Sequence, residues 1–257
     1  MDLTVLGSGT LLPDDRHRSA GHLVEEGGAR ILLDCGSGTL HGLDREGLDW
    51  RGITHVVITH FHTDHTGDLA PLLWAWKHGV GEGSAPTRTL LGPPGLRRVL
   101  EGLVQAHGDF VLEPGGPLEV VELERRGRWK DPADDFTLET HPTPHTPESV
   151  AVRLQGRGGT VGYTGDTGPS RELAAFFRGV DILVAECALP DELATDNHLT
   201  PSSVGNLAAE ADPGALVLTH FYPQVDTRGL PDLLRARGYM GTVHIGRDGL
   251  RLRVPEP

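Results

Sequence analysis

Between Thr59 and Gly67 the chain reads Thr-His-Phe-His-Thr-Asp-His-Thr-Gly, which puts three histidines and a carboxylate within the six residues from His60 to His65. The motif directly follows the apolar run His55-Val-Val-Ile58. On an extended backbone His60 and His62 point the same way, while Asp64 and His65 follow where the chain leaves the strand. Two pairs of ligands can then face two adjacent metal positions. Neutral imidazole and carboxylate are the ligands that borderline divalent metals prefer. A chain carrying this motif is therefore constrained to end a buried strand at a metal centre.

One loop cannot complete a dinuclear site, so further His or Asp residues are expected at strand ends. His145 lies in Thr143-Pro-His-Thr-Pro147, between the strand-like Phe136–Thr140 and Val150–Leu154. Asp166 follows Thr160-Val-Gly-Tyr-Thr164, and His220 closes Ala215-Leu-Val-Leu-Thr219. Further strands are predicted near Leu3–Leu6, Ala29–Leu33, His55–Thr59, Thr87–Leu91, Leu118–Val121, Ser149–Leu154, Ile182–Ala185, Thr242–Ile245 and Leu250–Val254. Helical spacing recurs in Leu69, Leu72, Leu73 and Trp76, in Leu96, Val99, Leu100, Leu103 and Val104, and in Val204, Leu207, Ala208 and Ala211. Trp74 and Trp76 are read as packing inward, with the lining of a substrate pocket as the alternative. Glu113–Pro117 and Gly127–Pro132 read as loops, and no internal repeat is evident. The pattern predicts an α/β fold in which two β-sheets form a sandwich with helices outside. With no low-complexity linker, residues 1–257 are expected to form one domain.

The chain resembles the metallo-β-lactamase fold superfamily over nearly its whole length, on the HxHxDH motif and the three isolated ligands. The resemblance implies a four-layer αββα sandwich of two mixed sheets. It would put His60, His62 and His145 on one metal, Asp64, His65 and His220 on the other, and Asp166 between them. Leu6-Gly-Ser-Gly-Thr10 and Ile31–Thr39 look like the family's first hairpin, in which Asp34 supports the metal loop. Two divalent ions per chain are expected, zinc first, with manganese or iron as alternatives.

Within the superfamily, Leu91-Gly-Pro-Pro-Gly-Leu96, Ala185-Glu-Cys-Ala188 and Asn197-His-Leu-Thr200 resemble the ribonuclease Z and phosphodiesterase branch. That likeness would make His198 an acid or donor beside the metals, oriented by Glu186, with Asp64 also at the reacting centre. His145 and Asp166 are only 21 positions apart, which leaves no room for the arm that grips transfer RNA in many ribonuclease Z members. A formal charge of −13, from 23 basic and 36 acidic residues, also disfavours a polyanionic partner. Arg97-Arg98 and Arg125-Arg126 read as solvated faces.

The expected activity is hydrolysis of a small or cyclic phosphodiester, with long RNA disfavoured as a partner. Thioester, lactone or β-lactam hydrolysis and ribonuclease Z-like RNA processing are the alternatives. Two cysteines, Cys35 and Cys187, lack CxxC spacing and are expected to be buried and reduced. The N-terminus runs into a strand without a signal segment, so a cytoplasmic protein with no membrane partner is expected. Homodimerisation is left open.

Overall fold

The computed structural model describes residues 1–79 and 87–254. Its first sheet holds β1 (Asp2–Gly7), β2 (Gly21–Glu26), β3 (Ala29–Leu33), β4 (His55–Val57), β5 (Arg88–Gly92) and β6 (Leu118–Glu122). The second holds β7 (Arg128–Lys130), β8 (Phe136–Pro142), β9 (Val150–Gly156), β10 (Gly159–Tyr163), β11 (Ile182–Glu186), β12 (Ala215–Thr219) and β13 (Thr242–Ile245), while β14 (Arg251–Arg253) returns to the first sheet beside β1. Strands β14, β1, β2 and β3 pair antiparallel and β3 to β6 pair parallel. The second sheet repeats that scheme, antiparallel from β7 to β10 and parallel from β10 to β13.

Parallel neighbours require crossovers. Helix α1 (Thr39–Arg45) lies between β3 and β4, and the single turn α2 (Thr63–Thr66) with α3 (Leu69–Gly79) between β4 and β5. Helix α4 (Leu96–His107) follows β5, and α5 (Arg171–Phe176), α6 (Pro201–Ala211) and α7 (Leu230–Ala236) link β10 to β13 in turn. Strands covered on both faces need apolar residues throughout. In β3, Ile31 and Leu33 face the opposite sheet while Leu32 faces the helical layer; in β11, Ile182 and Val184 face inward while Leu183 and Ala185 meet helices. The result is the expected αββα sandwich of two mixed sheets flanked by helices.

Several elements escape the sequence pattern. Strand β2 begins Gly-His and ends Glu-Glu, which conceals the buried Leu23 and Val24. The segment expected as a loop at Gly127–Pro132 contains β7, paired Arg128↔Glu139 and Lys130↔Thr137. Its Trp129 packs toward the inter-sheet core, 5.7 Å from the Phe136 ring, while its neighbours face outward. Helices α1, α5 and α7 have six or seven residues each, too short for a clear 3.6-residue period. Trp76 is buried, but Trp74 departs from the inward expectation: it is 49% exposed, its ring set edge-on 4.2 Å from Phe110. Cys35 and Cys187 are buried and unpaired. No helix among the described residues is long and apolar enough to cross a membrane.

The inter-sheet layer joins the two halves, and Leu138 is fully buried in it. Leu138→Ala should lower unfolding stability by about 2–5 kcal/mol through lost burial and the cavity left behind. Denaturant titration checks this; a loss below about 1 kcal/mol would mean that this layer does not hold the sheets together.

Candidate metal centre

Strand termini deliver the polar residues to one edge of the sandwich. Asp34 follows β3, the His60–His65 segment follows β4, His145 lies between β8 and β9, Asp166 follows β10, Glu186 ends β11 and His220 follows β12. His62 precedes α2 in an extended conformation, so that Asp64 and His65 turn inward and are buried. Gly36 permits this approach, since a Cβ there would stand 2.0 Å from the Asp64 carbonyl oxygen. Asp34 and His220 both have left-handed backbones, φ 56° and 58°. Such conformations are costly for most side chains and cluster at functional sites.

The seven expected ligands meet. Donor atoms of His60, His62, His145 and Asp166 lie within 4.8 Å of one another, as do those of Asp64, His65 and His220. Asp166 stands between the groups: Oδ2 is 3.7 Å from His60 Nε2 and 3.6 Å from His145 Nε2. Its Oδ1 is 3.2 Å from His65 Nε2 and 3.3 Å from His220 Nε2. A third group joins Asp166 and His220 to His198.

Hydrogen bonds behind the cluster fix which nitrogen of His60, His65 and His145 faces it. The Asp34 carboxylate accepts from the Thr59 backbone N–H (2.8 Å), the Thr59 hydroxyl (2.9 Å), His65 Nδ1 (2.7 Å) and the Tyr163 hydroxyl (2.8 Å). Thr59 Oγ1 lies 3.1 Å from His60 Nδ1, and the Asn197 carbonyl 2.9 Å from His145 Nδ1. Nε2 of His60, His65 and His145 is thereby left to the cluster. Asp34 was expected as a support from the family likeness. Thr59, Tyr163 and the Asn197 carbonyl were not, because a strand threonine, a strand tyrosine and a backbone oxygen carry no ligand signature.

Glu186 and His198 are also brought together. His198 Nδ1 lies 3.0 and 3.2 Å from the two Glu186 oxygens, which further accept the Thr167 N–H at 2.6 Å and the Leu199 N–H at 3.0 Å. Burial raises the Glu186 pKa despite His198. Burial opposes charge on His198, but the hydrogen bond and charge of Glu186 together with the nearby Asp166 and Asp64 carboxylates raise its pKa.

The donor set fits divalent cations. His60 Nε2, His65 Nε2 and Asp166 Oδ1 are buried, converge on one volume and have no hydrogen-bond partner, an arrangement expensive without a bound charge. Burial drives His60 and His145 below the ordinary histidine range, toward the neutral ligand form. Burial opposes the Asp166 anion, yet His220, His65 and His60 hold its pKa well below the usual carboxylate range. Burial also disfavours charge on His65, but Asp166 and Asp34 raise its pKa well above normal, so a metal arriving there displaces a proton. Nitrogen and oxygen donors without thiolate suit zinc, manganese or iron.

Asp34→Asn keeps the shape and tolerance for the left-handed backbone but removes the charge that collects four donors. It should weaken divalent-metal retention by about 10–100-fold in chelator competition. Unchanged retention would remove Asp34 from the support of the centre.

Comparison with known proteins bears on the family and the fold. Residues 29–221 match the family model described as a beta-lactamase superfamily domain. The protein named Ribonuclease Z from Mycobacterium bovis is 30% identical over 281 aligned residues, covering 99% of this chain and 98% of that one. Among solved structures, the metallo-beta-lactamase fold protein YhfI from Bacillus subtilis superposes with a TM-score of 0.84 at 23% identity, covering 98% of each chain. Human tRNase Z, short form, gives 0.79 at 23% identity, covering 99% of this chain and 100% of that one. At such identities the two structures bear on the fold alone. The matched domain and the full-length relative carry the assignment further: the chain belongs to the β-lactamase superfamily and is a metal-dependent hydrolase with full-length ribonuclease Z relatives.

Proposed function

We propose that the protein is a dinuclear metal-dependent phosphodiesterase acting on small or cyclic phosphodiesters. The observation that carries this reading is His198, held by Glu186 beside Asp166 and His220. Hydrolysis of an alkyl phosphodiester needs a proton for the departing oxygen, and this imidazole is oriented to give one. In this reading His60, His62 and His145 would hold one ion and Asp64, His65 and His220 the other, with Asp166 shared between the two groups. Zinc is the first choice, with manganese or iron as alternatives. Two ions bound there would supply Lewis acidity and a water acidic enough to attack. Asp64 would orient the attacking water, Glu186 fixes the tautomer of His198, and His198 Nε2 would protonate the leaving oxygen.

Strands β9 and β10 pair from Gly156↔Gly159 onward, leaving a two-residue turn and no projecting arm between His145 and Asp166. A cleft of about 250 Å³ opens beside Asp64 between Leu11, Leu12 and Thr63, room for a small ligand. Of the two arginine pairs, Arg126 is neutralised by Glu172, while Arg97 donates to the Val120 carbonyl. The buried, unpaired cysteines support a cytoplasmic setting. The name Ribonuclease Z on full-length relatives favours a second reading, cleavage of RNA; in the first reading long RNA is a poor substrate.

A panel of bis(p-nitrophenyl) phosphate, cyclic phosphodiesters, ester and β-lactam substrates and precursor transfer RNA distinguishes these readings. Small diesters should turn over and the RNA should be processed poorly. Efficient, site-specific trimming of transfer RNA at physiological salt would move the chain to the second reading.

His198→Ala should retain its metal while turnover of an alkyl diester falls by about 10²–10⁴-fold. The loss should be smaller with p-nitrophenolate, which departs without a proton. Lost metal would make His198 a ligand, and equal activity on both substrate types would make it structural.

A further inference from the structure

His22 lies on β2 in the inter-sheet interior, 1% exposed, and neither of its ring nitrogens has a hydrogen-bond partner. Its ring sits edge-on to Tyr163, 4.9 Å between centroids, directly behind the tyrosine that donates to Asp34. A buried imidazole with both nitrogens unsatisfied is costly, and natural folds keep such a group only with a reason.

The reason is found on the other side of the same interior. Four histidines of the centre have a partner for the nitrogen facing away from the cluster: Thr59 for His60, Asp34 for His65, Asn197 for His145 and Glu186 for His198. His220 has none. Its Nε2 faces Asp64 at 3.4 Å and Asp166 at 3.3 Å, while its Nδ1 is buried and unpartnered. If Nε2 meets a cation, Nδ1 carries the proton and needs an acceptor. Main-chain pairing ties their backbones to one strand, since His220 N–H donates to the Ser8 carbonyl at 2.7 Å and Ser8 directly follows β1, the strand paired with His22 through Val5; a charge on His220 is also felt at the His22 ring. Burial pushes the His22 pKa down to about 3, and positive charge on His65 or His220 pushes in the same direction. The ring therefore stays neutral and keeps one nitrogen as an acceptor.

We infer that one buried water joins His220 Nδ1–H to His22, making His22 a positioning residue for a metal ligand. No direct hydrogen bond joins the rings, and these nitrogens supply two of the two to four partners that a buried water requires. The inference rests on the proposed role of His220 as a ligand. Its consequence is a trade: the imidazole weakens the metal-free fold and strengthens the metal-bound one.

Zinc affinity by chelator competition and the thermal midpoint of the metal-free protein test this together, in His22→Leu, His22→Gln and His220→Ala. His22→Leu should hold or raise the metal-free midpoint, by up to about 2–4 °C, while zinc affinity falls about 10–100-fold. His22→Gln, which retains an acceptor, should recover most of that affinity. In the zinc-loaded wild type, the His220 Nδ1–H should give an exchange-protected resonance with cross-relaxation to a bound water. Wild-type zinc affinity in His22→Leu, or equal losses in the leucine and glutamine variants with a lowered metal-free midpoint, would overturn the inference. So would a rapidly exchanging His220 Nδ1–H, whether or not the leucine variant folds. Undiminished zinc binding by His220→Ala would instead overturn the ligand assignment beneath it.

Discussion

The Asp34 carboxylate, fully buried between the first sheet and the metal loop, is the interaction on which the rest of the centre depends. An isolated carboxylate there would be prohibitive to desolvate, but four donors from three segments converge on it. Two of those donors belong to Thr59, where the chain leaves the β4 edge. One is His65 at the far end of the ligand loop, and one is Tyr163 on the opposite sheet. A single anion therefore sets the start of the loop, the orientation of a ring within it and its distance from the second sheet. The left-handed backbone at Asp34 is the strain that this convergence maintains.

The second half of the site follows the same logic with a different acid. Glu186 ends the central parallel strand of its sheet and gathers two backbone N–H groups together with His198. Both carboxylates lie at the carboxyl ends of parallel strands, where open α/β sheets gather ligands. The two sheets share the antiparallel-then-parallel order, so equivalent ends of each half converge on one edge.

What could be read from the sequence follows from what each residue must do. His60, His62, Asp64 and His65 stand out as candidate ligands because ligand chemistry restricts residue type at fixed spacing. His145, Asp166 and His220 were legible because each interrupts an apolar or β-rich pattern that locates a strand end. The pairing of His198 with Glu186 came from family likeness, since sequence alone does not bring positions twelve apart onto one hydrogen bond. Strand β7 was hidden by its three-residue length and the nearby Gly127 and Pro132, and β2 by the polar residues at its ends. Contacts through main-chain oxygens, such as Asn197 to His145, have no residue-type signal and emerge only from the folded chain.

The placement of Asp166 bears on how the molecule holds together as well as on its chemistry. His60, His62, Asp64 and His65 come from the first sheet, whereas His145, Asp166 and His220 come from the second, and Asp64 and His220 are 156 positions apart in the chain. Ions held in this cluster would act as a clasp across the open edge of the sandwich, closing a long loop that no covalent bond closes. Binding free energy spent there becomes resistance to unfolding. Removal of metal should then loosen the edge that carries the ligands first and leave the apolar layer around Leu138 and Val152 as the last part to open.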